Sequence, residues 1–126
     1  MRKEPVSTTT APAAIGPYSQ AFIAGDLLFC SGQIPIDPAT NKLVDGDTAT
    51  QAEQVCKNVL ALLASQGLTA ANVVKTTVFL ADIKDFPVVN EVYARHFPQP
   101  SPARSCIAVA ALPLGAKVEI EAIALR

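Results

Sequence analysis

The sequence of 126 residues contains no tryptophan and a single histidine, His96. One imidazole cannot form a histidine-based metal cluster within one subunit. The three cysteines, Cys30, Cys56 and Cys106, lie far apart, and no C-x-x-C pair occurs. The sequence therefore indicates neither a disulfide framework nor a zinc site, and we expect the protein to bind no metal. It also has no phosphate loop and no dinucleotide-binding glycine motif.

The chain also has no large excess of positive or negative charge. Ten basic residues oppose eleven acidic ones, which gives a formal net charge of −1. Nucleic-acid binding normally requires a basic surface, so this balance argues against nucleic acid as a partner. The first ten residues are polar and no apolar run is long enough to cross a bilayer, so we expect no secretory signal, no membrane segment and a cytoplasmic location.

The length and the hydrophobic pattern predict one domain over residues 1–126, with residues 1–12 forming a loose N-terminal arm. The first helix has the clearest signals, because residues 50–53 have the form of a capping box and Gly67 stands where a helix-ending glycine belongs. A second helix is expected from about Phe86, after Asp85 as its N-cap. The predicted strands cover residues 20–24, 27–31, 33–36, 73–80, 103–111 and 117–125.

This order of elements predicts an α+β fold, in which two helices pack on one face of a β-sheet. The opposite face would then carry more apolar residues than water tolerates, and a small domain usually covers such a face by forming an oligomer. We therefore expect a homo-oligomer. The residues assigned to this uncovered surface are Ile34, Ile36, Val78, Leu80, Ile107, Val109, Ile120 and Ile123.

Arg104 is the main candidate for a functional residue. It lies two positions before Cys106 in a predicted strand, so both side chains point to the same face. A guanidinium binds a carboxylate through two parallel hydrogen bonds, which suits a small keto or imino acid. A structural salt bridge to a glutamate on a neighbouring strand explains Arg104 equally well. Cys106 is either a thiol activated by this positive charge or a small buried hydrophobic residue.

Glu119 and Glu121 share one face of the last predicted strand. One of these carboxylates can hold a water molecule and act as a general base. Alternatively, they lie on a solvated edge or pair with Arg104. Three further polar side chains are candidates for contacts with a ligand, and each also has a purely structural explanation: Tyr18, Ser31 and Asn90.

Five ordered motifs occupy residues 13–20, 31–35, 74–79, 102–106 and 118–124. Together they reach from near the start of the chain almost to its end. They resemble the Rid (YjgF-like) family, and most closely its RidA branch, the 2-iminobutanoate/2-iminopropanoate deaminases.

The resemblance implies a chorismate-mutase-like α+β fold with a mixed sheet, and a homotrimer with sites in the clefts between subunits. It implies that enamine and imine products of pyridoxal-phosphate dehydratases are hydrolysed to 2-oxo acids and ammonia without a cofactor. Arg104 then binds the substrate carboxylate and Glu119 positions water. The residues implied to line the substrate pocket are Tyr18, Ser31, Gly32, Asn90 and Cys106.

One departure from the family pattern is a shorter segment at residues 97–101, which affects the expected edge of the pocket. Two other functions remain open on the sequence alone. The same arginine would serve a regulatory module that binds 2-oxo acids without turnover. Relatives have also been described as ribonucleases or translation inhibitors, a function that the absence of a basic surface disfavours.

Overall fold

The computed structural model describes residues 2–126. The main sheet has six strands, and its spatial order is β1-β2-β3-β8-β6-β7. Neighbouring strands are antiparallel except β6 and β7, which are parallel, so the sheet is mixed. The elements are β1 (Lys3–Val6), β2 (Ala21–Ala24), β3 (Leu27–Gln33), β4 (Ile36–Asp37), β5 (Lys42–Leu43), α1 (Thr48–Ala64), β6 (Val73–Leu80), α2 (Phe86–His96), β7 (Ala103–Ala108) and β8 (Val118–Leu125).

The predicted α+β class with two helices and a mixed sheet is confirmed. The apolar side of α1 packs on β8 and β3 and also contacts α2. Alternate residues of the central strands, such as Val78, Leu80 and Ile120, are fully buried in the same core. The prediction that these three residues belong to the uncovered face is therefore wrong, because the period-2 alternation of the strands directs them towards the helices. Ile107 and Ile123 do lie on the uncovered face.

The N-terminal arm is not loose along its whole length. Residues Lys3–Val6 form an edge strand that pairs antiparallel with β2. Val6 and Ala11 are buried, and the Gln20 side chain donates hydrogen bonds to the carbonyls of Thr8, Ala11 and Pro12. The sequence did not indicate this strand, because its partner is supplied by a hairpin some twenty residues away.

The start of α1 also differs from the prediction. Its N-cap is Asp47, whose carboxylate accepts a hydrogen bond of 2.9 Å from the backbone nitrogen of Thr50. Residues 50–53 therefore lie inside the helix, and Glu53 bonds to His96 of α2. Gly67 does follow the helix end with a φ of +72°, a conformation that glycine adopts without strain.

The segment after β3 is fixed by Asn58 of α1. Its buried side-chain nitrogen donates to the carbonyls of Ile34 and Ile36, at 3.1 and 2.8 Å. Residues 33–36 are therefore not a separate strand, since Gln33 ends β3 and Ile36 begins β4. Among residues 2–126, no helix has the length and apolar character needed to span a membrane.

We expect the Asn58→Leu variant to lose about 2–4 kcal/mol of unfolding free energy, because two buried carbonyls lose their donor. Urea denaturation at fixed protein concentration measures this loss. Lys57→Ala is the control, since Lys57 is an exposed residue of the same helix. A change below about 0.5 kcal/mol in the Asn58 variant would contradict the assignment of this anchor.

Candidate functional site

The guanidinium of Arg104 rests on aromatic rings. Its central carbon lies 4.9 Å from the ring centre of Tyr93 and 5.5 Å from that of Phe86, both on α2. None of the ion pairs found among residues 2–126 involves Arg104. The alternative of a structural salt bridge within the chain is therefore wrong. The two cation–π contacts hold the guanidinium without a carboxylate partner, so its N–H groups stay available for a ligand.

The ring of Tyr93 is itself held firmly. Its hydroxyl shares a buried hydrogen bond of 2.7 Å with Thr76 Oγ1 on β6, and its ring stacks on Phe97 at 4.6 Å. Burial raises the pKa of Tyr93, although the hydrogen bond to Thr76 and the charge of Arg104 oppose this shift. The phenol therefore stays neutral and provides a fixed support for the arginine.

A cleft of about 430 Å³ opens beside Arg104. Its walls come from α2 and from the proline-rich segment that leads into β7. Asn90 lies in the same cleft, so the structure brings these two predicted site residues together. The cleft is also lined by Tyr93, Phe97, Gln99 and Ser101.

Cys106 lies on the same face of β7 as Arg104, as predicted, but its thiol is not activated. Burial raises the pKa of Cys106, and the nearby charge of Arg104 lowers it by less. The thiol therefore stays protonated near neutral pH. Of the two explanations for Cys106, the structure supports the small hydrophobic residue and not the reactive thiolate.

Glu119 lies on the opposite face of the sheet. Val118, Ile120 and Ala122 of β8 point into the core, and Glu119 and Glu121 alternate with them. Burial raises the pKa of Glu119, and repulsion from Glu121 adds to this effect. A half-buried carboxylate with a raised pKa is a typical candidate for acid–base chemistry.

Ser31 and Gly32 lie beside Glu119, at a β-bulge. Cys30 pairs with Ala122 and Gln33 pairs with Ile120, so two residues of β3 oppose the single residue Glu121. Bulges of this kind often redirect side chains next to functional sites.

Ser31 is hydrogen-bonded to the loop that carries Tyr18. The Ser31 hydroxyl donates a hydrogen bond of 2.6 Å to the carbonyl of Ser19, the residue after Tyr18. Ser31 also lines a cavity of about 350 Å³ on the uncovered face of the sheet. The ring of Tyr18 is 49% exposed, and its hydroxyl accepts a hydrogen bond from the backbone nitrogen of Ile15 at 3.3 Å.

The predicted residues therefore fall into two groups on opposite faces of the sheet. The arginine cluster contains Arg104, Asn90 and Cys106. The glutamate cluster contains Glu119, Gly32 and Ser31, while Tyr18 lies in the loop before Ser19, to whose carbonyl the Ser31 hydroxyl donates. Arg104 of β7 pairs with the buried Thr76 of β6, on the side of the helices. Glu119 of β8 pairs with Phe79 of β6, whose side chain points to the uncovered face. One chain does not bring Arg104 and Glu119 together.

The aromatic support for Arg104 was not recognised in the sequence. Phe86 and Tyr93 both lie on α2, and no contact between them and the arginine was expected. Their spacing of seven residues places them on one helix face, and this was the available signal. Within residues 2–126, no group of three or more histidine, cysteine, aspartate or glutamate side chains is arranged to hold a metal ion.

Comparisons with known proteins agree with the resemblance drawn from the motifs. Residues 8–126 match the model of a family described as Endoribonuclease L-PSP. Reactive Intermediate Deaminase A, chloroplastic, of Arabidopsis thaliana is 55% identical over 98% of this chain and 66% of the relative. The 2-iminobutanoate/2-iminopropanoate deaminase of Homo sapiens is 50% identical over 96% of this chain and 88% of the relative. The structure of E. coli TdcF with bound serine matches with a TM-score of 0.91 at 42% identity, over 98% of both chains.

We expect the Phe86→Leu variant to bind pyruvate about two- to fivefold more weakly, because it removes one cation–π contact that fixes Arg104. NMR titration with pyruvate measures the dissociation constant. Val88→Ala is the control, since Val88 is an exposed residue of the same helix. Unchanged affinity in the Phe86 variant would show that this ring does not position the arginine.

Proposed function

The chain belongs to the Endoribonuclease L-PSP family, to which the Rid (YjgF-like) proteins also belong, and we propose that it hydrolyses 2-imino acids. The proposed substrates are 2-iminobutanoate and 2-iminopropanoate, and the products are 2-oxo acids and ammonia. Relatives at about 50% identity are named for this activity or for deamination of reactive intermediates. The observation that carries the proposal is the guanidinium of Arg104, which faces a cleft and has no carboxylate partner within residues 2–126.

Arg104 binds the carboxylate of the substrate in this proposal. Two charge-assisted hydrogen bonds, each contributing about 1.5–3 kcal/mol, fix the anion and its adjacent imine carbon. Asn90, in the same cleft, orients the bound molecule, and the backbone at Cys106 borders it. The rigid support under Arg104 means that little side-chain entropy is lost when the substrate binds.

The complete site requires a second copy of the chain. Since Arg104 and Glu119 lie on opposite faces of one sheet, the arginine cluster of one copy must meet the glutamate cluster of another. The uncovered face also carries large apolar side chains that an assembly would bury: Phe29 is 41% exposed and Ile107 is 48% exposed. We propose a homotrimer of the chorismate-mutase type, with three equivalent sites between subunits.

Glu119 acts as the general base. A water molecule held by its carboxylate attacks the imine carbon, and Glu119 accepts the proton that the water loses. The proton passes to the nitrogen, which gives a tetrahedral carbinolamine. This adduct collapses to the 2-oxo acid as its hydroxyl proton moves to the departing nitrogen, and ammonia leaves. The raised pKa of Glu119 suits both steps, because the group must accept and return a proton near neutral pH.

The reaction needs only water and side chains, so we propose that no cofactor takes part. Imines of this class arise when pyridoxal-phosphate dehydratases act on serine or threonine, and the protein would act directly after them, in the cytoplasm. The shorter segment at residues 97–101 forms part of the cleft wall and would influence which imine fits best.

A second candidate function comes from the family description, which names an endoribonuclease. The net charge of −1 does not favour binding of RNA. A third is a regulatory module that binds 2-oxo acids without turnover. Turnover of the imine, binding of a 2-oxo acid without turnover and cleavage of RNA are the three results that separate these candidates.

We expect the Arg104→Ala variant to lose at least about 100-fold in kcat/KM, because the carboxylate loses a bidentate partner. A threonine dehydratase supplies the imine, and 2-oxobutanoate formation is followed after subtraction of spontaneous hydrolysis. The matched control is Arg95→Ala, which removes an exposed arginine of α2.

The outcomes of this assay distinguish the candidates. Undiminished activity in the Arg104 variant would contradict the proposal. Binding of 2-oxobutanoate by the unmodified protein without any turnover would favour the regulatory module. Cleavage of RNA that persists through purification and is lost with Arg104 would favour the ribonuclease.

The division of the site between two copies gives a separate prediction. Arg104→Ala and Glu119→Gln are each inactive, but unfolding and refolding them together should restore activity. In a random 1:1 mixture, about one quarter of the sites combine an intact arginine with an intact glutamate. Mass spectrometry verifies that mixed oligomers form. Verified mixing without recovery would show that both groups act from one chain, or that they do not act together.

A further inference from the structure

The side chain of Glu119 lies unusually close to the backbone of Gly32. A Cβ atom placed on Gly32 would lie 2.1 Å from Glu119 Oε2 and 2.9 Å from its Cδ. Atoms cannot approach this closely, so the carboxylate occupies the space that any other side chain at position 32 would fill. The glycine is not required by its backbone, because its φ lies outside the left-handed region.

The β-bulge explains why the two residues meet. With Ser31 and Gly32 together opposing Glu121, the backbone of β3 is displaced from regular pairing beside Glu119. The whole end of the Glu119 side chain, including Cγ at 3.2 Å from the same Cβ position, lies along the bare backbone of the glycine.

We propose that Gly32 is a positioning residue for Glu119. The carboxylate lies in the space that a side chain at position 32 would fill, and this space is called the seat of Glu119. The role in catalysis rests on the proposed function, in which Glu119 activates water. The seat itself is a property of the fold and can be measured without substrate.

The surroundings of the seat determine how Glu119 titrates. The charged neighbour of Glu119 on β8 is Glu121. The charged residue of β6 on the uncovered face is Lys75. The bulge on β3 contributes the Ser31 hydroxyl, whose proton is already donated to the carbonyl of Ser19. Burial is the largest cause of the raised pKa of Glu119, and the repulsion by Glu121 comes second. Loss of the seat would expose the carboxylate and lower its pKa.

An added methyl group would displace Glu119 with little damage to the fold. The atoms that it meets belong to the end of a flexible side chain, which swings towards solvent, and not to the backbone. Gly32→Ala therefore moves the carboxylate without destabilising the sheet.

The experiment compares Gly32→Ala with the unmodified protein in three measurements. We expect kcat to fall about 10- to 100-fold with little change in KM, because Arg104 still binds the substrate while the water is misplaced. The acid limb of the pH–rate profile and the ¹³C titration of the Glu119 carboxyl should both move to lower pH. Urea denaturation and light scattering should show an unchanged midpoint and an unchanged assembly.

Two further variants test that Gly32 acts through Glu119. In the double variant Gly32→Ala/Glu119→Asp, the shorter carboxylate leaves room for the methyl group, and activity should exceed that of Gly32→Ala. In a Glu119→Ala background, Gly32→Ala should cause no additional loss of kcat. An additional loss as large as in the unmodified protein would overturn the proposed positioning role.

The results distinguish failure of this inference from failure of the proposed function. If Gly32→Ala changes neither kcat nor the Glu119 titration, no seat exists and the inference is overturned. If the titration moves as expected but Glu119→Ala keeps full activity, the seat is supported and the role of Glu119 as general base is wrong.

Discussion

The cation–π contact of Arg104 with the rings of Tyr93 and Phe86 is the interaction on which the site depends. A guanidinium on an edge strand would ordinarily pair with a carboxylate, and its binding capacity would then be used within the chain. Here the two rings hold the guanidinium by cation–π contacts and leave its N–H groups without a carboxylate partner. Thr76 fixes Tyr93 from the neighbouring strand, so the support belongs to the core and not to a flexible loop. The positive charge is held in place at the border of a cleft before any ligand arrives.

The alternation of side chains across the sheet is the second constraint. It directs Arg104 towards the helices and Glu119 to the uncovered face, and strand register allows no exchange between these positions. A chemistry that needs both groups must therefore be assembled from more than one chain. The same alternation leaves Phe29 and Ile107 exposed on the face of Glu119, so the surface that an assembly would cover also carries the proposed general base. Assembly and activity are thus coupled in this account.

Much of the fold was predictable because its signals are local. The existence of α1, the glycine that follows its end (Gly67) and the shared face of Glu119 and Glu121 on β8 were all visible in the sequence. What could not be predicted depends on contacts between distant segments. The capping role of Asp47 was missed because residues 50–53 carry a stronger local motif, whereas Glu53 in fact bonds to His96 of the other helix. Strand β1 was missed because its partner lies far along the chain. For the site, the residue types were available from the sequence, but the faces of Arg104 and Glu119 required the register.

A crystal structure of the Glu119→Gln variant with 2-oxobutanoate bound tests the central claim most directly. The account predicts that the carboxylate of the ligand forms two hydrogen bonds with Arg104 of one copy, and that its carbonyl carbon faces residue 119 of a neighbouring copy. The ring of Tyr93 should remain stacked on the guanidinium. A ligand bound away from Arg104, or one that contacts Arg104 and residue 119 of the same chain, would contradict the account.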